Sequence, residues 1–96
     1  MPGGSSSGAG VSLLDGSALV ALGTDTAGSV RIPAGMTGTV GLKMRHSRWP
    51  LDGIVPLSPT LDSTGILTRT VEALVFAFTA FRGVAVPAPV PMRCLV

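Results

Sequence analysis

A turn-forming segment that directly follows a short apolar run sets the first limits on the fold. The apolar run is Ala18-Leu19-Val20-Ala21-Leu22, and the segment after it is Gly23-Thr24-Asp25-Thr26-Ala27-Gly28-Ser29. Small and hydroxyl residues carry almost no apolar surface to bury, so this segment cannot form a packed element of its own. It does allow the backbone to turn tightly and to direct several N–H groups at one point. The pattern predicts a buried strand that ends in a tight polar loop.

Ser29, at the end of this loop, has the position of a nucleophile beside a cluster of backbone N–H groups. Such a cluster stabilises the negative charge that develops on a substrate oxygen during acyl transfer. Asp25 and Arg31 bracket the loop, and we expect a charge pair between them to hold it in shape. Taken alone, a serine in a loop of small residues is more often a turn former than a nucleophile.

A second glycine- and serine-rich motif, Pro2-Gly3-Gly4-Ser5-Ser6-Ser7-Gly8, precedes the loop, and its Ser5 lies 24 positions before Ser29. The two motifs and their spacing resemble those of the amidase signature family, which are serine hydrolases with a Ser–Ser–Lys catalytic arrangement. The likeness covers roughly residues 2–81 and continues in order through Val40-Gly41-Leu42-Lys43, Gly53-Ile54-Val55-Pro56-Leu57-Ser58 and Leu61-Asp62-Ser63-Thr64-Gly65. Two separated motifs in register favour a catalytic origin for the serines.

The resemblance implies hydrolysis of the C–N bond of a linear, small-molecule carboxamide through a serine acyl-enzyme, without a cofactor. In this scheme Ser29 is the nucleophile. Ser5, on a cis peptide bond, relays a proton between Ser29 and the family's catalytic lysine. Asp25 and Arg31 are expected to be structural. The backbone N–H groups that the resemblance assigns to the oxyanion hole are those of Thr26, Ala27, Gly28 and Ser29.

The sequence departs from the family pattern at the general base. The family's base is a lysine well upstream of the bridging serine, whereas this sequence has only Lys43, in a segment that the family keeps in addition to its catalytic lysine. Milder departures are Ala27, where glycine is common, and Ile66, where proline is usual. We expect a central amidase segment that is inactive in isolation, with a missing N-terminal portion or a complementing chain supplying the base. A catalytically inactive, truncated remnant is the alternative.

Other chemistries have weaker support in the sequence. Residues 3–10 lack the Gly-Lys-Ser/Thr ending of a phosphate-binding P-loop, and no strand precedes them. His46 is the only histidine and lies in a polar Arg-His-Ser-Arg run, which does not favour a Ser–His–Asp triad. No cluster of His, Cys or carboxylate residues indicates a metal site. A net charge of +2 with 12% charged residues provides no basic patch for nucleic acid.

Composition also bears on the cellular compartment. The single cysteine, Cys94, excludes an internal disulfide and is compatible with a reducing cytoplasm. The N-terminus is rich in glycine and serine and shows no secretory signal. The longest apolar run, residues 73–78, is too short to cross a bilayer. These features predict a cytoplasmic protein without a membrane partner.

Short apolar runs and one periodic helix predict an α/β fold. By the resemblance, this is a fragment of the amidase signature fold, a mixed sheet covered by helices, with two to three short strands and a C-terminal helix. We expect neighbouring strands over residues 18–23 and 39–43, a short helix over 8–14 and a helical turn over 30–36. Residues 58–65 are expected to be a loop, with Asp62 capping a turn. We expect the partial amidase core to span residues 1–83 and residues 84–96 to form a proline-rich linker.

The strongest helical signal begins after Thr70, a favourable N-cap, and continues to residue 81. Glu72 lies in the first turn, where an acidic residue interacts favourably with the helix dipole. Arg82 and Gly83 are typical of a helix C-terminus. Apolar residues at helical spacing predict one buried stripe that packs across the strands, formed by Val71, Leu74, Val75, Phe78 and Phe81.

Overall fold

The computed structural model describes residues 1–84, which form three helices and three strands. In chain order these are α1 (Ser7–Leu14), β1 (Val20–Asp25), α2 (Arg31–Thr37), β2 (Val40–Lys43), β3 (Ser63–Thr68) and α3 (Val71–Arg82). The linker predicted for residues 84–96 lies outside the described residues, apart from Val84. The helices predicted over residues 8–14 and 30–36 correspond to α1 and α2, and each predicted end lies within one residue of the observed end.

The three strands form one sheet in the order β1–β3–β2. β3 is antiparallel to both of its neighbours, and its Ile66 pairs with Leu22 of β1 and with Leu42 of β2. β1 and β2 are therefore parallel to each other, and α2 lies on the connection between them. The prediction that these two strands are direct neighbours is wrong, because β3 separates them.

The central strand, β3, occupies part of a segment that the sequence predicts to be a loop. Asp and Gly are depleted in strands, so this segment, which contains Asp62 and Gly65, has a weak strand signal. In the sheet, Gly65 is required by packing: a Cβ at this position would lie 2.8 Å from the carbonyl oxygen of Leu42 and 2.9 Å from Cγ2 of Val30. Tertiary packing thus overrides local propensity in β3.

Successive residues of β3 bury their side chains on opposite faces of the sheet, as the two-residue period of a strand requires. Leu67 packs with Leu13 of α1 and Ala34 of α2 on one face. Ile66 packs with Ala77 of α3 on the other. The sheet is thus covered by α1 and α2 on one side and by α3 on the other, which confirms the predicted α/β class.

Helix α3 has the predicted caps. The Thr70 hydroxyl accepts a hydrogen bond from the amide of Ala73 at 3.2 Å. Gly83 ends the helix in the left-handed conformation, with φ of 65°. Both caps satisfy backbone groups that have no partner within the helix itself.

The predicted apolar stripe of α3 is only partly correct. Leu74 and Phe78 pack against the core on the α3 side of the sheet. Val71 and Phe81, however, are 58% and 54% exposed. The helix contacts the sheet through a narrower face centred on Ala77, because only three short strands lie beneath it among the described residues.

Candidate functional site

Asp25 is the last residue of β1 and is completely buried, two residues beyond the predicted end of this strand. Its Oδ1 accepts a hydrogen bond from the amide of Gly28 at 2.9 Å. Its Oδ2 accepts from the amides of Val30 at 3.2 Å and Arg31 at 3.3 Å. The carboxylate therefore lies inside the turn that carries Ser29 and holds both ends of that turn.

The Arg31 side chain completes the charge pair expected from the sequence. Its Nε donates to Oδ2 of Asp25 at 3.1 Å, and its Nη2 donates to Oδ1 at 3.0 Å. Burial alone raises the pKa of Asp25, but hydrogen bonds from the Arg31 side chain and three amides outweigh it and lower the pKa to about 2. Asp25 is therefore ionised at neutral pH, and the two-point pairing with Arg31 gives the loop a defined geometry.

The four backbone amides assigned to the oxyanion hole fall into two groups. The amide of Gly28 donates to Asp25 and is therefore engaged. Within residues 1–84, the amides of Thr26, Ala27 and Ser29 have no hydrogen-bond acceptor. Three N–H groups of one tight turn are thus available to bind an anionic oxygen.

The two serine motifs meet through their backbones. The amide of Ser6 donates to the carbonyl oxygen of Ser29 at 3.1 Å. The peptide bond between Gly4 and Ser5 is cis, as the resemblance implies. The side-chain hydrogen bonds of residues 1–84 do not include one between the hydroxyls of Ser5 and Ser29, so direct contact between these groups stays a prediction.

A glycine in β1 allows this close approach. A Cβ at Gly23 would lie 2.9 Å from Oγ of Ser6 and 3.1 Å from Cγ2 of Val30. Both distances are shorter than ordinary van der Waals contact, so a larger residue at position 23 would push residues 2–8 away from the strand. Gly23, directly after the apolar run, therefore allows residues 2–8 to lie beside the loop that carries Ser29.

Asp62 and Ser63 are part of the site, although the sequence pattern assigns them no role there. The Thr26 hydroxyl donates to Oδ1 of Asp62, and the Ser63 hydroxyl donates to the carbonyl oxygen of Asp25 at 2.9 Å. The prediction that Asp62 caps the turn over residues 62–65 is wrong. Its carboxylate accepts hydrogen bonds from Thr26, Leu57 and Ser58, which all precede it in the sequence. The sequence feature that could have indicated a role for Asp62 and Ser63 is that the resemblance to the family includes the Asp-Ser-Thr-Gly segment.

Lys43 and His46 lie at or just after the end of β2 and are the side chains considered as proton acceptors, but neither is hydrogen-bonded to a serine of the site. Nζ of Lys43 donates to the carbonyl oxygen of Met44 at 3.1 Å. Nδ1 of His46 lies 3.1 Å from the carbonyl oxygen of Asp62. Neither contact prepares its residue to take a proton from Ser29.

A groove with a volume of about 670 Å³ lies beside Ser6, on the face of the sheet that α3 covers. Trp49 forms part of its wall and stacks on Phe78, with ring centroids 5.8 Å apart. The Thr64 hydroxyl oxygen is buried and has no hydrogen-bond partner among the described residues. The groove is mainly apolar and is lined by Leu22, Trp49, Pro50, Ile54 and Phe81, with Ser6, Gly23, Thr24 and Thr64 at its polar parts.

Neither a metal cluster nor a membrane-spanning helix is present in residues 1–84. No three His, Cys, Asp or Glu side chains of this part of the chain come together as they do in a metal site. None of its three helices has the length and apolar character needed to cross a bilayer.

The family model described as Amidase matches residues 1–86. The chain belongs to the amidase family. A 2-amino-5-chloromuconic acid deaminase from Comamonas testosteroni is 65% identical over an alignment of 95 residues, which covers 97% of this chain and 21% of the deaminase. Mandelamide hydrolase from Pseudomonas putida is 48% identical over 93% of this chain and 17% of the hydrolase. A glutamyl-tRNA(Gln) amidotransferase subunit from Akkermansia muciniphila is 45% identical over 86% of this chain and 18% of that protein.

A solved amidase structure has the same arrangement of elements. The crystal structure of an amidase superimposes on this chain with a TM-score of 0.81 and 44% sequence identity, covering 92% of this chain and 20% of the amidase. The chain thus spans about a fifth of the length of the relatives that it matches. It corresponds to a segment of the larger amidase fold.

Proposed function

We propose that this chain forms the nucleophile-bearing part of an amide hydrolase, with Ser29 as the residue that attacks the carbonyl carbon of a linear carboxamide. The observation that carries the proposal is the loop around Asp25. This loop holds three free N–H groups in the same turn as the Ser29 hydroxyl. Membership of the amidase family supports the same chemistry.

In the proposed reaction the oxygen of Ser29 attacks the amide carbon, and its proton moves to Ser5 and from there to a lysine. The tetrahedral oxyanion is bound by the amides of Thr26, Ala27 and Ser29. Removing one such donor typically costs about 2.7–4 kcal/mol of transition-state stabilisation. The C–N bond then breaks, the leaving nitrogen takes up the proton, and water hydrolyses the acyl-enzyme to regenerate Ser29.

The base in this mechanism comes from outside the 96 residues. The one lysine present, Lys43, donates to the carbonyl oxygen of Met44 and is not hydrogen-bonded to either serine. A serine hydroxyl is a weak nucleophile at neutral pH without a base, and general acid–base help contributes about 10²–10⁴-fold. The isolated chain is therefore proposed to be inactive, and a segment or chain that carries the lysine completes the site.

The lining of the groove supports an apolar acyl group as the substrate class. Leu22, Trp49 and Phe81 are among the residues that line it, and Ser6, the neighbour of Ser5, lines it as well. Apolar pockets with few polar groups bind apolar ligands by removing their surface from water. Mandelamide hydrolase, 48% identical, is named for an amide with an aromatic acyl group, which is the kind of group that this groove fits.

A second candidate function follows from the deaminase relative, which is 65% identical. Its name describes removal of an amino group from an unsaturated diacid. That reaction also replaces a C–N bond by a C–O bond and releases ammonia. The carbon that carries the amino group is not a carboxamide carbon, however, so the two reactions have different products. The groove is mainly apolar, so it favours a carboxamide with an apolar acyl group over a diacid that carries two carboxylates.

The test is ammonia release from mandelamide and from 2-aminomuconic acid, with the chain alone and with the segment of mandelamide hydrolase that precedes the matching region. The family resemblance places the catalytic lysine in that segment, which is therefore called the lysine-bearing segment. The controls are Ser29→Ala and, for an exposed serine, Ser17→Ala. The chain alone should not exceed the Ser29→Ala variant. The mixture should release ammonia from mandelamide, and this activity should be lost in Ser29→Ala and kept in Ser17→Ala. Activity that survives in Ser29→Ala would refute the nucleophile, and Ser29-dependent activity of the chain alone would refute the external base.

A further inference from the structure

The buried Asp62 carboxylate joins two segments that are distant in the sequence. Its side chain belongs to a residue that is 2% exposed and lies just before β3. Oδ1 accepts a hydrogen bond from the Thr26 hydroxyl, 36 positions upstream. Oδ2 accepts from the amides of Leu57 and Ser58, each at 2.9 Å. Three donors from two loops thus converge on one carboxylate.

The loop between β1 and α2 is consequently held by two carboxylates rather than one. Asp25 holds the later part of the loop through the amides of Gly28 and Val30. Asp62 holds the first loop residue through the side chain of Thr26. The Thr26 and Ala27 amides, which the proposed mechanism uses as oxyanion donors, lie between these two anchors.

We infer that Asp62 is a positioning residue for the oxyanion hole and that it acts through the Thr26 hydroxyl. In this role it fixes the direction of the Thr26 and Ala27 amides and does not itself touch the substrate. The inference rests on the proposed function, because an oxyanion hole is required only if Ser29 is the nucleophile.

The chemistry of the contact suits this role. The hydrogen bond from Thr26 lowers the pKa of Asp62; burial opposes this effect, and the amides of Ser58 and Leu57 and the charge of His46 support it. An ionised carboxylate can only accept hydrogen bonds, so it fixes the Thr26 hydroxyl as a donor. Charge-assisted hydrogen bonds are about twice as strong as neutral ones. Threonine is branched at Cβ and has few χ1 states, so fixing its hydroxyl also restricts its backbone.

A purely structural role for Asp62 makes a different prediction. If its only effect were to tie residues 57 and 58 to the start of β3, removing the Thr26 hydroxyl would leave the loop unchanged. Thr26→Val removes that hydroxyl and keeps the hydrogen bonds that the amides of Leu57 and Ser58 donate to Asp62. Thr26→Ser keeps the hydroxyl and serves as the rescue variant. Asp52→Asn makes the same chemical change as Asp62→Asn at an exposed position.

The experiment is a measurement of backbone ¹⁵N order parameters on the 96-residue chain and these four variants. Rigid backbone has values of about 0.85 and flexible backbone has values below about 0.6. In Asp62→Asn and Thr26→Val, the values at Thr26 and Ala27 should fall into the flexible range, while those of β3 stay unchanged. Thr26→Ser and Asp52→Asn should match the original chain. In the mixture with the lysine-bearing segment, Thr26→Val should lower kcat at least tenfold and leave KM within twofold.

The two proposals fail in distinguishable ways. Unchanged order parameters at Thr26 and Ala27 in Thr26→Val would overturn the role of Asp62, whether or not Ser29 is catalytic. If Asp62→Asn does not fold, Thr26→Val alone decides, because it leaves the Asp62 carboxylate and its amide partners in place. An equal loss of order throughout β3 in Thr26→Val would also overturn the inference. If Thr26→Val loosens the loop as predicted, but the mixture of the original chain with the lysine-bearing segment shows no Ser29-dependent hydrolysis, the proposed function is overturned instead.

Discussion

The amide of Ser6 donates a hydrogen bond to the carbonyl oxygen of Ser29 at 3.1 Å. This bond joins two glycine- and serine-rich motifs whose first and last serines are 24 positions apart in the sequence. It involves the backbone carbonyl of Ser29 and not the side-chain hydroxyl. The arrangement depends on small residues in the strands beneath it and on the charge of Asp25.

Replacing Gly65 with alanine should destabilise the chain by about 1–3 kcal/mol, the usual cost of inserting an extra carbon into a packed core. The new Cβ would lie 2.8 Å from the carbonyl oxygen of Leu42, a backbone atom of the neighbouring strand that cannot easily move. Gly35→Ala is the matched control, because no atom lies within 4 Å of a Cβ at that helical position. It should stabilise the chain by about 0.5–1 kcal/mol. Urea denaturation measures both, and equal midpoints for the two variants would contradict the register of β3.

Stability should fall steeply in acid because of Asp25. The pKa of this group is lowered to about 2 in the folded chain, where hydrogen bonds from Arg31 and three amides outweigh burial. A carboxyl whose pKa is lower in the folded state stabilises the fold above its unfolded pKa and loses that effect as pH falls through its folded pKa. About 2 kcal/mol should therefore be lost between roughly pH 4 and pH 2.

Urea midpoints at pH 7, 4 and 2.5 test this prediction. Asp25→Asn should lower the midpoint at pH 7 and weaken the loss between pH 4 and pH 2.5. Asp52→Asn, a replacement at an exposed position, should retain the loss seen in the original chain. A loss of the same size in Asp25→Asn would show that other carboxylates are responsible.

Replacing Thr70 with alanine should cost about 1 kcal/mol, the typical value for loss of an N-cap side chain. The Thr70 hydroxyl accepts the amide hydrogen of Ala73, which has no other acceptor at the start of α3. Thr60→Ala changes an exposed threonine in the same way and should be neutral. Thermal unfolding by circular dichroism compares the two variants, and an unchanged midpoint in Thr70→Ala would refute the cap.

Features that depend on local sequence could be predicted, and features that depend on distant pairing could not. Thr70 and Gly83 mark the ends of α3 because capping preferences act within one turn of a helix. β3 was not predictable in this way, since its Gly65 has low strand propensity and is held by pairing with Gly23 of β1 and Lys43 of β2. The contact between Thr26 and Asp62 spans 36 positions and leaves no local pattern.

The site shows the same division. The charge pair between Asp25 and Arg31 spans six positions, and both residues bracket one loop, so the sequence indicates it directly. The use of the Gly28 amide by Asp25 follows only from the folded turn. Of the four amides that the resemblance assigns to an oxyanion hole, one is therefore engaged with Asp25, and the other three have no acceptor within residues 1–84.

The identity of the residue that becomes acylated tests the central claim most directly. The chain, mixed with the lysine-bearing segment of mandelamide hydrolase, is reacted with an aryl ester of an apolar acid, quenched in acid and analysed by peptide mass mapping. The proposed mechanism predicts one acyl group on Ser29, none in Ser29→Ala and much less in Ser5→Ala. An acyl group on another residue, or turnover with Ser29 unmodified at every quench time, would contradict it.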